Sequence, residues 1–196
     1  MIFRFQKQLL FVLGFFLLLW IALALMVYLP FWYSFNYSFQ DTYSELGKEA
    51  TKIYTSDLIL YFLHFDSLDE NAWSTKEKVH YADVRSLYDI AFVLALCSVV
   101  CLFVFWRRDF VLENLKYLPL VFLSLLLLLP VFSWFWIQVF HPLLFGHNES
   151  WIFGSDEISY FLFDLESGSF FLRSFLFLAL FPAFLSWAWR KILLRT

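Results

Sequence analysis

The chain has 196 residues and a formal net charge of −3 at pH 7; 62% of its residues are hydrophobic, 24% are aromatic and only 16% are charged. A soluble domain of this length has too little interior to bury so much apolar surface. The composition therefore excludes a soluble globular protein and predicts an integral membrane protein.

Four uncharged or nearly uncharged stretches are long enough to cross a hydrocarbon core of about 30 Å as helices. They cover residues 9–33, 87–106, 117–138 and 170–189. Transmembrane strands are shorter and alternate in polarity, which these stretches do not. The predicted fold class is an all-α integral membrane protein, with four transmembrane helices in one domain over residues 1–196. The first stretch is too long and too bulky at its end for a cleaved signal, so we expect an uncleaved helix.

The basic residues next to the four stretches predict how the chain is oriented in the membrane. They flank the first stretch, lie in the short loop between the second and third, and follow the fourth: Arg4, Lys7, Arg107, Arg108, Lys116, Arg190, Lys191 and Arg195. Residues 137–168 contain no Lys or Arg. The positive-inside rule therefore predicts both termini in the cytoplasm and extracytoplasmic segments 34–86 and 137–169.

Segment 34–86 is expected to form an extracytoplasmic cap between the first two spans. Residues 35–39 alternate aromatic and polar side chains, which allows a short β-strand at the membrane surface. Residues 44–63 are typical of an amphipathic helix. The apolar positions available for burial on this helix are Ile53, Leu58, Ile59, Phe62 and Leu63. Ser74 and Glu77 then indicate the start of a helix that continues into the second span.

All four histidines, His64, His80, His141 and His147, lie in the two predicted outer segments. His141 follows the third span directly, at the level where hydrocarbon gives way to water. An imidazole titrates near neutrality, so it can take and return protons at the level of a lipid ester. The alternative is that His141 and Pro142 simply end a helix and anchor it at the interface.

His80 precedes Asp83 by three residues on the predicted helix that enters the second span. This spacing places both side chains on one helix face, where the carboxylate can fix the tautomer of the imidazole. The alternative is that Asp83 caps the helix or pairs with Lys78 or Arg85 at the surface, which contributes little to stability.

Two motifs at the ends of spans resemble a known family. They are His-Tyr-Ala-Asp-Val-Arg-Ser-Leu at residues 80–87 and Phe-His-Pro-Leu-Leu-Phe at residues 140–145, followed by Asn148, Trp151 and the pair Phe170-Phe171. Their order and their positions relative to the spans are similar to those of the bacterial lipoprotein intramolecular transacylases. Chain length, four spans and a large outer loop agree, so the resemblance covers the whole chain.

The resemblance implies a reaction in the outer leaflet of the bacterial cytoplasmic membrane. The substrate would be a diacylglyceryl-modified lipoprotein, whose sn-2 acyl chain moves to the α-amino group of its own N-terminal cysteine and leaves the lyso form. The two essential histidines of the family would fall on His80 and His141. The chain departs from the family in having His147 beside Asn148, and in residues 164–169, where members tend to have a proline before the Phe-Phe pair. These departures leave open the shape of the last loop and whether His147 competes with His141.

The implied acyl transfer needs few groups other than a general acid and a general base. Converting an ester to an amide is downhill, and the chain has no phosphate-binding loop of the Walker type. The step needs an unprotonated amine, a route for its proton to the departing glycerol oxygen and a donor for the oxyanion. Two histidines meet the first two needs. Arg85, Asn148 and Arg173 are the candidates for binding the substrate, although Arg173 can instead extend towards a lipid phosphate.

No other feature of the sequence points to a different catalytic apparatus. It has no Gly-x-Ser-x-Gly nucleophile motif, and its histidines lack the spacing of a zinc site, so we expect neither a covalent acyl-enzyme nor a metal or other cofactor. Cys97 and Cys101 are expected to serve as packing residues within the second span. The predicted partners are the lipoprotein and membrane lipid, with no nucleic acid. Nothing indicates the oligomeric state, for which a monomer is the default expectation.

A second function class is compatible with the same composition. A polytopic protein without enzymatic activity can bind a lipid or a protein partner through its outer loops, with the histidines merely at the interface. The state of the N-terminal peptide of a reporter lipoprotein distinguishes the two classes, because only the enzyme converts it.

Overall fold

The computed structural model describes residues 2–105, 107–146 and 150–195, with the helical residues 2–4 described by their backbone alone. Every regular element in these ranges is helical. In chain order the α-helices are α1 (Ile2–Tyr28), α2 (Pro30–Tyr37), α3 (Thr42–Leu46), α4 (Lys48–Phe62), α5 (Thr75–Val104), α6 (Arg108–Ser124), α7 (Phe132–Phe135), α8 (His141–Phe145), α9 (Ile158–Leu162) and α10 (Ser169–Leu193). A 3₁₀ segment, Leu125–Val131, joins α6 to α7, and a π-helical turn, Trp136–Phe140, joins α7 to α8.

Four helical stretches are long and apolar enough to cross a membrane, which confirms the predicted all-α membrane architecture. They are Phe5–Tyr28, Thr75–Val104, Arg108–Phe145 and Ser169–Leu193. The first ends at Tyr28, earlier than the predicted end at residue 33, because Leu29 is extended, with φ −101° and ψ 120°, ahead of Pro30. A residue before proline is disfavoured in the α region, so α1 ends there and α2 begins at Pro30.

The third stretch is continuous but irregular. Pro119 lies inside α6 and Pro130 lies inside the 3₁₀ segment, and a proline has no backbone N–H to donate to the preceding turn. The chain accommodates this by tightening to 3₁₀ geometry and then widening to π geometry just before His141. Single π turns inside helices occur frequently at functional sites.

The contacts divide the chain into two compact units. The first unit comprises residues 1–23, 88–129 and 175–196. Its core contains Leu18, Leu115, Leu118, Phe122 and Ala183. Phe15 stacks on Phe122 with a centroid distance of 4.7 Å. Polar contacts lie near the helix ends: Lys7 pairs with Glu113, and the Asn114 amide donates to the Lys7 carbonyl at 3.2 Å.

The first unit also exposes many large apolar side chains. Leu96, Val100 and Phe103 on α5 are exposed, as expected of side chains that face lipid. Cys97 is exposed and Cys101 is half-buried. The prediction that both cysteines are packing residues is therefore wrong for Cys97, which lies on the outward face of the helix.

The second unit comprises residues 24–87 and 130–174 and contains the predicted cap. The predicted strand at residues 35–39 is wrong. Phe35 belongs to α2, and the alternation read as strand reflects a helix that buries Trp32, Tyr33, Asn36 and Tyr37 on one face. The alternation of aromatic and polar residues therefore occurs within a helix and not within a strand of a sheet.

The predicted amphipathic helix 44–63 is two helices, α3 and α4, because Gly47 between them has φ +80° and ends the helical geometry. A glycine adopts this conformation without the steric cost that a side chain brings. The residues that α4 buries are Thr51, Thr55, Leu58, Ile59, Tyr61 and Phe62. Ile53 and Leu63, predicted to be available for burial, are exposed because they lie off this face.

Candidate active site

His80 lies on the second turn of α5, and the start of that helix determines where its ring is placed. Ser74 and Glu77 form a capping box, as the sequence predicts: the Ser74 amide donates to Glu77 Oε2 at 2.8 Å and the Glu77 amide donates to Ser74 Oγ at 3.1 Å. His80 is only 7% exposed, and its Nδ1 has no hydrogen-bond partner within the described residues. A buried ring nitrogen without a partner is available to a substrate.

His141 is the first residue of α8 and follows the π turn. Its backbone N–H and its ring Nδ1 both meet the carbonyl oxygen of Trp136, Nδ1 at 2.8 Å. A carbonyl only accepts, so Nδ1 carries the hydrogen and the neutral ring has its lone pair on Nε2. The π geometry thus selects the tautomer of His141.

The two histidines face each other. Their ring centroids are 6.4 Å apart with an angle of 24° between the planes, and His141, like His80, is 7% exposed. The structure therefore brings together the two residues that the sequence analysis selected from distant parts of the chain.

Aromatic rings enclose the histidine pair. Phe145 contacts both imidazoles, at 4.8 Å from His80 and 5.6 Å from His141. Phe153 lies 5.4 Å from His80, and Trp151 lies 4.4 Å from His141. Phe145 and Trp151 belong to the sequence motifs, whereas no pattern in the sequence marks Phe153. These rings make the immediate surroundings of both imidazoles apolar.

A buried carboxylate forms hydrogen bonds to the segment that contains Phe153. Glu77 is fully buried and its Oε1 accepts from the Ser159 amide at 2.8 Å and from the Ser159 hydroxyl at 2.6 Å. Ser159 Oγ also lies 2.5 Å from the Tyr81 hydroxyl, which donates because the serine hydrogen is committed to Glu77. The sequence identified Glu77 only as a helix start, since nothing local reveals its link to Ser159.

A second carboxylate holds the same segment at a neighbouring point. Glu157 is buried and accepts from Ser74 Oγ at 2.8 Å and from the Gly154 amide at 2.8 Å. Lys76 Nζ lies 3.8 Å from Glu157 and also donates to the carbonyl of Ile152. Residues 152–159 are therefore bound to the first turn of α5, the helix that carries His80.

Arg173 lies on the first turns of α10 and is held by hydrogen bonds. Its Nε donates to Asn36 Oδ1 at 2.7 Å and its Nη2 donates to Ser169 Oγ at 2.9 Å. Asn36 is fully buried, and its own amide donates to the Trp32 carbonyl at 2.9 Å. The sequence analysis missed Asn36, because a buried asparagine in a short aromatic helix has no recognisable motif.

The remaining predicted site residues are placed less favourably. Arg85 lies 4.0 Å over the ring of Tyr61 and donates to the Tyr61 carbonyl at 3.4 Å. Asp83 makes no hydrogen bond or ion pair in the described part of the chain, so no contact there supports its predicted role of orienting the His80 ring. Asn148, like His147, lies outside the described residues.

Fold and site together define a class: a polytopic helical membrane protein with a buried pair of histidines. The family model for the lipoprotein intramolecular transacylase Lit matches residues 8–158. The chain therefore belongs to the Lit family of lipoprotein intramolecular transacylases. It is an acyltransferase and a multi-pass bacterial membrane protein, and its substrates are lipoproteins.

Solved structures of a relative share the fold. The in meso structure of Lit from Bacillus cereus has 18% sequence identity and a TM-score of 0.78, over 98% of this chain and 95% of that one. A variant of the same protein with one histidine replaced by alanine gives 20% identity and a TM-score of 0.70, over 98% and 93% of the two chains. A variant with arginine in place of that histidine has 20% sequence identity and a TM-score of 0.69, over 98% of this chain and 92% of that one. No curated protein sequence matches the chain.

Proposed function

We propose that the protein transfers the sn-2 acyl chain of a diacylglyceryl-modified lipoprotein to the α-amino group of the N-terminal cysteine of the same molecule. The product is an N-acyl, S-monoacylglyceryl lipoprotein. The observation that carries this proposal is the histidine pair, with its rings 6.4 Å apart inside an aromatic enclosure. Family membership supplies the substrate class, and the pair supplies the acid–base groups that the reaction needs.

The tautomer of His141 supports a division of roles between the two histidines. Its Nδ1 hydrogen is committed to the Trp136 carbonyl, so Nε2 can accept the one proton that the neutral amine of the substrate loses as it attacks the ester. The amine nitrogen then forms a bond to the ester carbonyl carbon, and the bond between that carbon and the sn-2 oxygen breaks. His80 donates a proton to the departing glycerol oxygen. The proton that His141 accepted then passes to His80 and replaces the one that His80 donated.

The enzyme gains most of its rate by orienting one substrate molecule. Amine and ester belong to the same lipoprotein, so folding the substrate until they meet can lower the barrier by about 7–11 kcal/mol in favourable cases. The enclosure by Phe145, Trp151 and Phe153 keeps water from competing with the amine for the ester. No covalent acyl-enzyme is needed in this scheme.

Arg173 is the strongest candidate among the predicted substrate-binding residues. Asn36 and Ser169 hold two of its nitrogens, which leaves Nη1 to donate to a carbonyl or phosphate oxygen of the substrate. Asn148 and Arg85 remain proposed as further donors for the oxyanion or the peptide backbone. Asp83 remains only a candidate, since no contact supports it.

The distribution of basic residues supports an active site on the extracytoplasmic face, with both termini in the cytoplasm. Lipoproteins carry their diacylglyceryl group in the outer leaflet of the bacterial cytoplasmic membrane, so substrate and site would share one side. Tagging the termini with reporters that are active only in the cytoplasm or only outside it measures this orientation directly.

The test of the reaction is mass spectrometry of the N-terminal peptide of a reporter lipoprotein, expressed in a host that lacks the activity. The wild-type chain is expected to produce the N-acyl monoacylglyceryl peptide. His80→Ala and His141→Ala should each lower conversion by about 10²–10⁴-fold, the usual contribution of a general acid or base, while the protein still inserts.

His64→Asn is the matched control. His64 is an exposed histidine at φ +61°, a conformation that asparagine tolerates, so this variant should convert the reporter like wild type. Unchanged conversion by His80→Ala or His141→Ala would refute the histidine mechanism. An unmodified diacylglyceryl peptide with the wild-type chain would refute the proposed reaction itself.

A further inference from the structure

The short helix α2 and the turn that follows it present a stripe of exposed aromatic rings. Phe31, Phe35 and Phe39 follow one another at intervals of four residues and are 73%, 39% and 63% exposed. Phe31 and Phe35 are 6.3 Å apart, and Phe35 and Phe39 are 5.2 Å apart, so the rings form one continuous surface. A row of three exposed phenylalanines is unfavourable in water.

The opposite face of α2 is anchored inside the second unit, so the helix cannot turn to bury the stripe. Trp32, Tyr33 and Tyr37 are buried on that face. Asn36, between them, is fully buried and accepts the hydrogen bond from Arg173 at 2.7 Å. The direction in which the three phenylalanines point is thereby determined by the interior of the unit.

The outward face of α2 also lacks polar groups that need water. Residues 30–39 include no charged side chain. The two serines of this face donate to carbonyls of their own segment, Ser34 to Pro30 at 3.1 Å and Ser38 to Phe35 at 2.6 Å. Polar hydrogens that are satisfied internally can enter an apolar environment at low cost.

The helix α4 belongs to the same unit but does not share the apolar outward face of α2. The outward face of α4 carries Lys48, Glu49 and Lys52, all exposed. α4 is therefore a water-facing helix, whereas the outward face of α2 and its following turn carries aromatic rings and internally bonded serines, with the Arg173 guanidinium 5.8 Å from the Phe39 ring.

We propose that α2 is a membrane-surface helix and that Phe31, Phe35 and Phe39 insert into the lipid at the boundary between headgroups and acyl chains. The occupant is lipid because α2 begins at Pro30, directly after the membrane-spanning helix that ends at Tyr28, so the stripe begins where a span ends. A protein partner would be expected to meet a polar rim with open hydrogen-bonding groups, which this face does not have.

The experiment measures the surroundings of single nitroxide labels in phosphatidylcholine–phosphatidylglycerol liposomes. Cysteines replace Phe31, Phe35 or Phe39 one at a time in a Cys97→Ala, Cys101→Ala background, and matched labels replace Lys48 and Glu49 on α4. Collision with oxygen reports lipid, and collision with a nickel chelate reports water. The ratio of oxygen to nickel accessibility should be several-fold higher at the three stripe positions than at the two α4 positions.

Equal ratios at the stripe and at α4 would overturn the proposal, because they place the stripe in water. Low accessibility to both reagents would overturn it in favour of a protein partner, and dipolar broadening between labels would identify that partner as a second copy. A parallel measurement avoids substitutions: a lipid-borne carbene photolabel should modify residues 29–39 of the wild-type protein and spare residues 48–52. The reverse labelling pattern would contradict the insertion of α2.

Discussion

The two compact units of this chain are stabilised in different ways. The first unit buries aliphatic and phenylalanine side chains around Leu118 and Phe122, and its outward face is apolar as well. The second unit buries polar groups, among them Asn36, Glu77 and Ser159, and joins them by hydrogen bonds between segments that are distant in sequence.

The difference follows from what each unit gains by folding. Helices already inserted in lipid gain little from further burial of apolar surface, so close packing must hold the first unit together. Hydrogen bonds stabilise the second unit. A buried donor that lost its acceptor would stay unsatisfied and would raise the free energy of the folded state. It is also the unit that contains the histidine pair, which requires fixed positions rather than general burial.

Removal of the Glu77 carboxylate should have the largest effect on stability. Glu77→Ala leaves the Ser159 amide, the Ser159 hydroxyl and the Ser74 amide without their acceptor. We expect a loss of about 3 kcal/mol or more in the free energy of unfolding, since each buried unsatisfied group costs about 1–3 kcal/mol. Unfolding of the purified protein by SDS in mixed micelles measures this change.

Glu77→Gln is the matched variant for that experiment. Its single amide oxygen can still accept from Ser159 but cannot also serve the Ser74 amide, so it should lose roughly half as much as alanine. Equal stability of Glu77→Ala and wild type would show that the second unit does not depend on its buried hydrogen bonds.

Truncation of the central aromatic side chain of the first unit should cost less. Phe122 is fully buried and stacks on Phe15. In a soluble core Phe→Ala typically costs about 3–5 kcal/mol, but here only the packing part applies, so we expect about 1–2 kcal/mol. The same SDS titration measures it, with Phe122→Leu as a milder control. A cost larger than that of Glu77→Ala would reverse the comparison between the units.

Substitutions of two glycines by alanine should change the free energy of unfolding least, and the two changes should have opposite signs. Gly47 has φ +80° and a Cβ added there would meet nothing within 4 Å, so Gly47→Ala should lose about 1 kcal/mol through backbone strain alone. Gly14 lies within α1 and an added Cβ would make an ordinary 3.7 Å contact with Leu118, so Gly14→Ala should gain about 0.5–1 kcal/mol. Shifts of the same sign in thermal unfolding would contradict this assignment.

Local patterns in the sequence predicted some elements of the second unit and missed others. The capping box at Ser74 was recognised because both partners lie within one helical turn. The strand at residues 35–39 was wrong because a segment of five residues cannot distinguish alternation in a strand from alternation around a short helix. The break at Gly47 was missed because glycine is also tolerated inside helices, and only the observed φ decides between the two.

The sequence by itself determined the membrane class, the four spans and the family, because these depend on sums of apolar residues and on short motifs. It also indicated His80 and His141 as candidates, though not their relation to each other. Only the tertiary structure decided that the rings face each other at 6.4 Å, that a π turn commits one nitrogen of His141, and that Glu77 reaches Ser159. Such contacts join residues far apart in the chain, and their geometry is set by packing that no local pattern encodes.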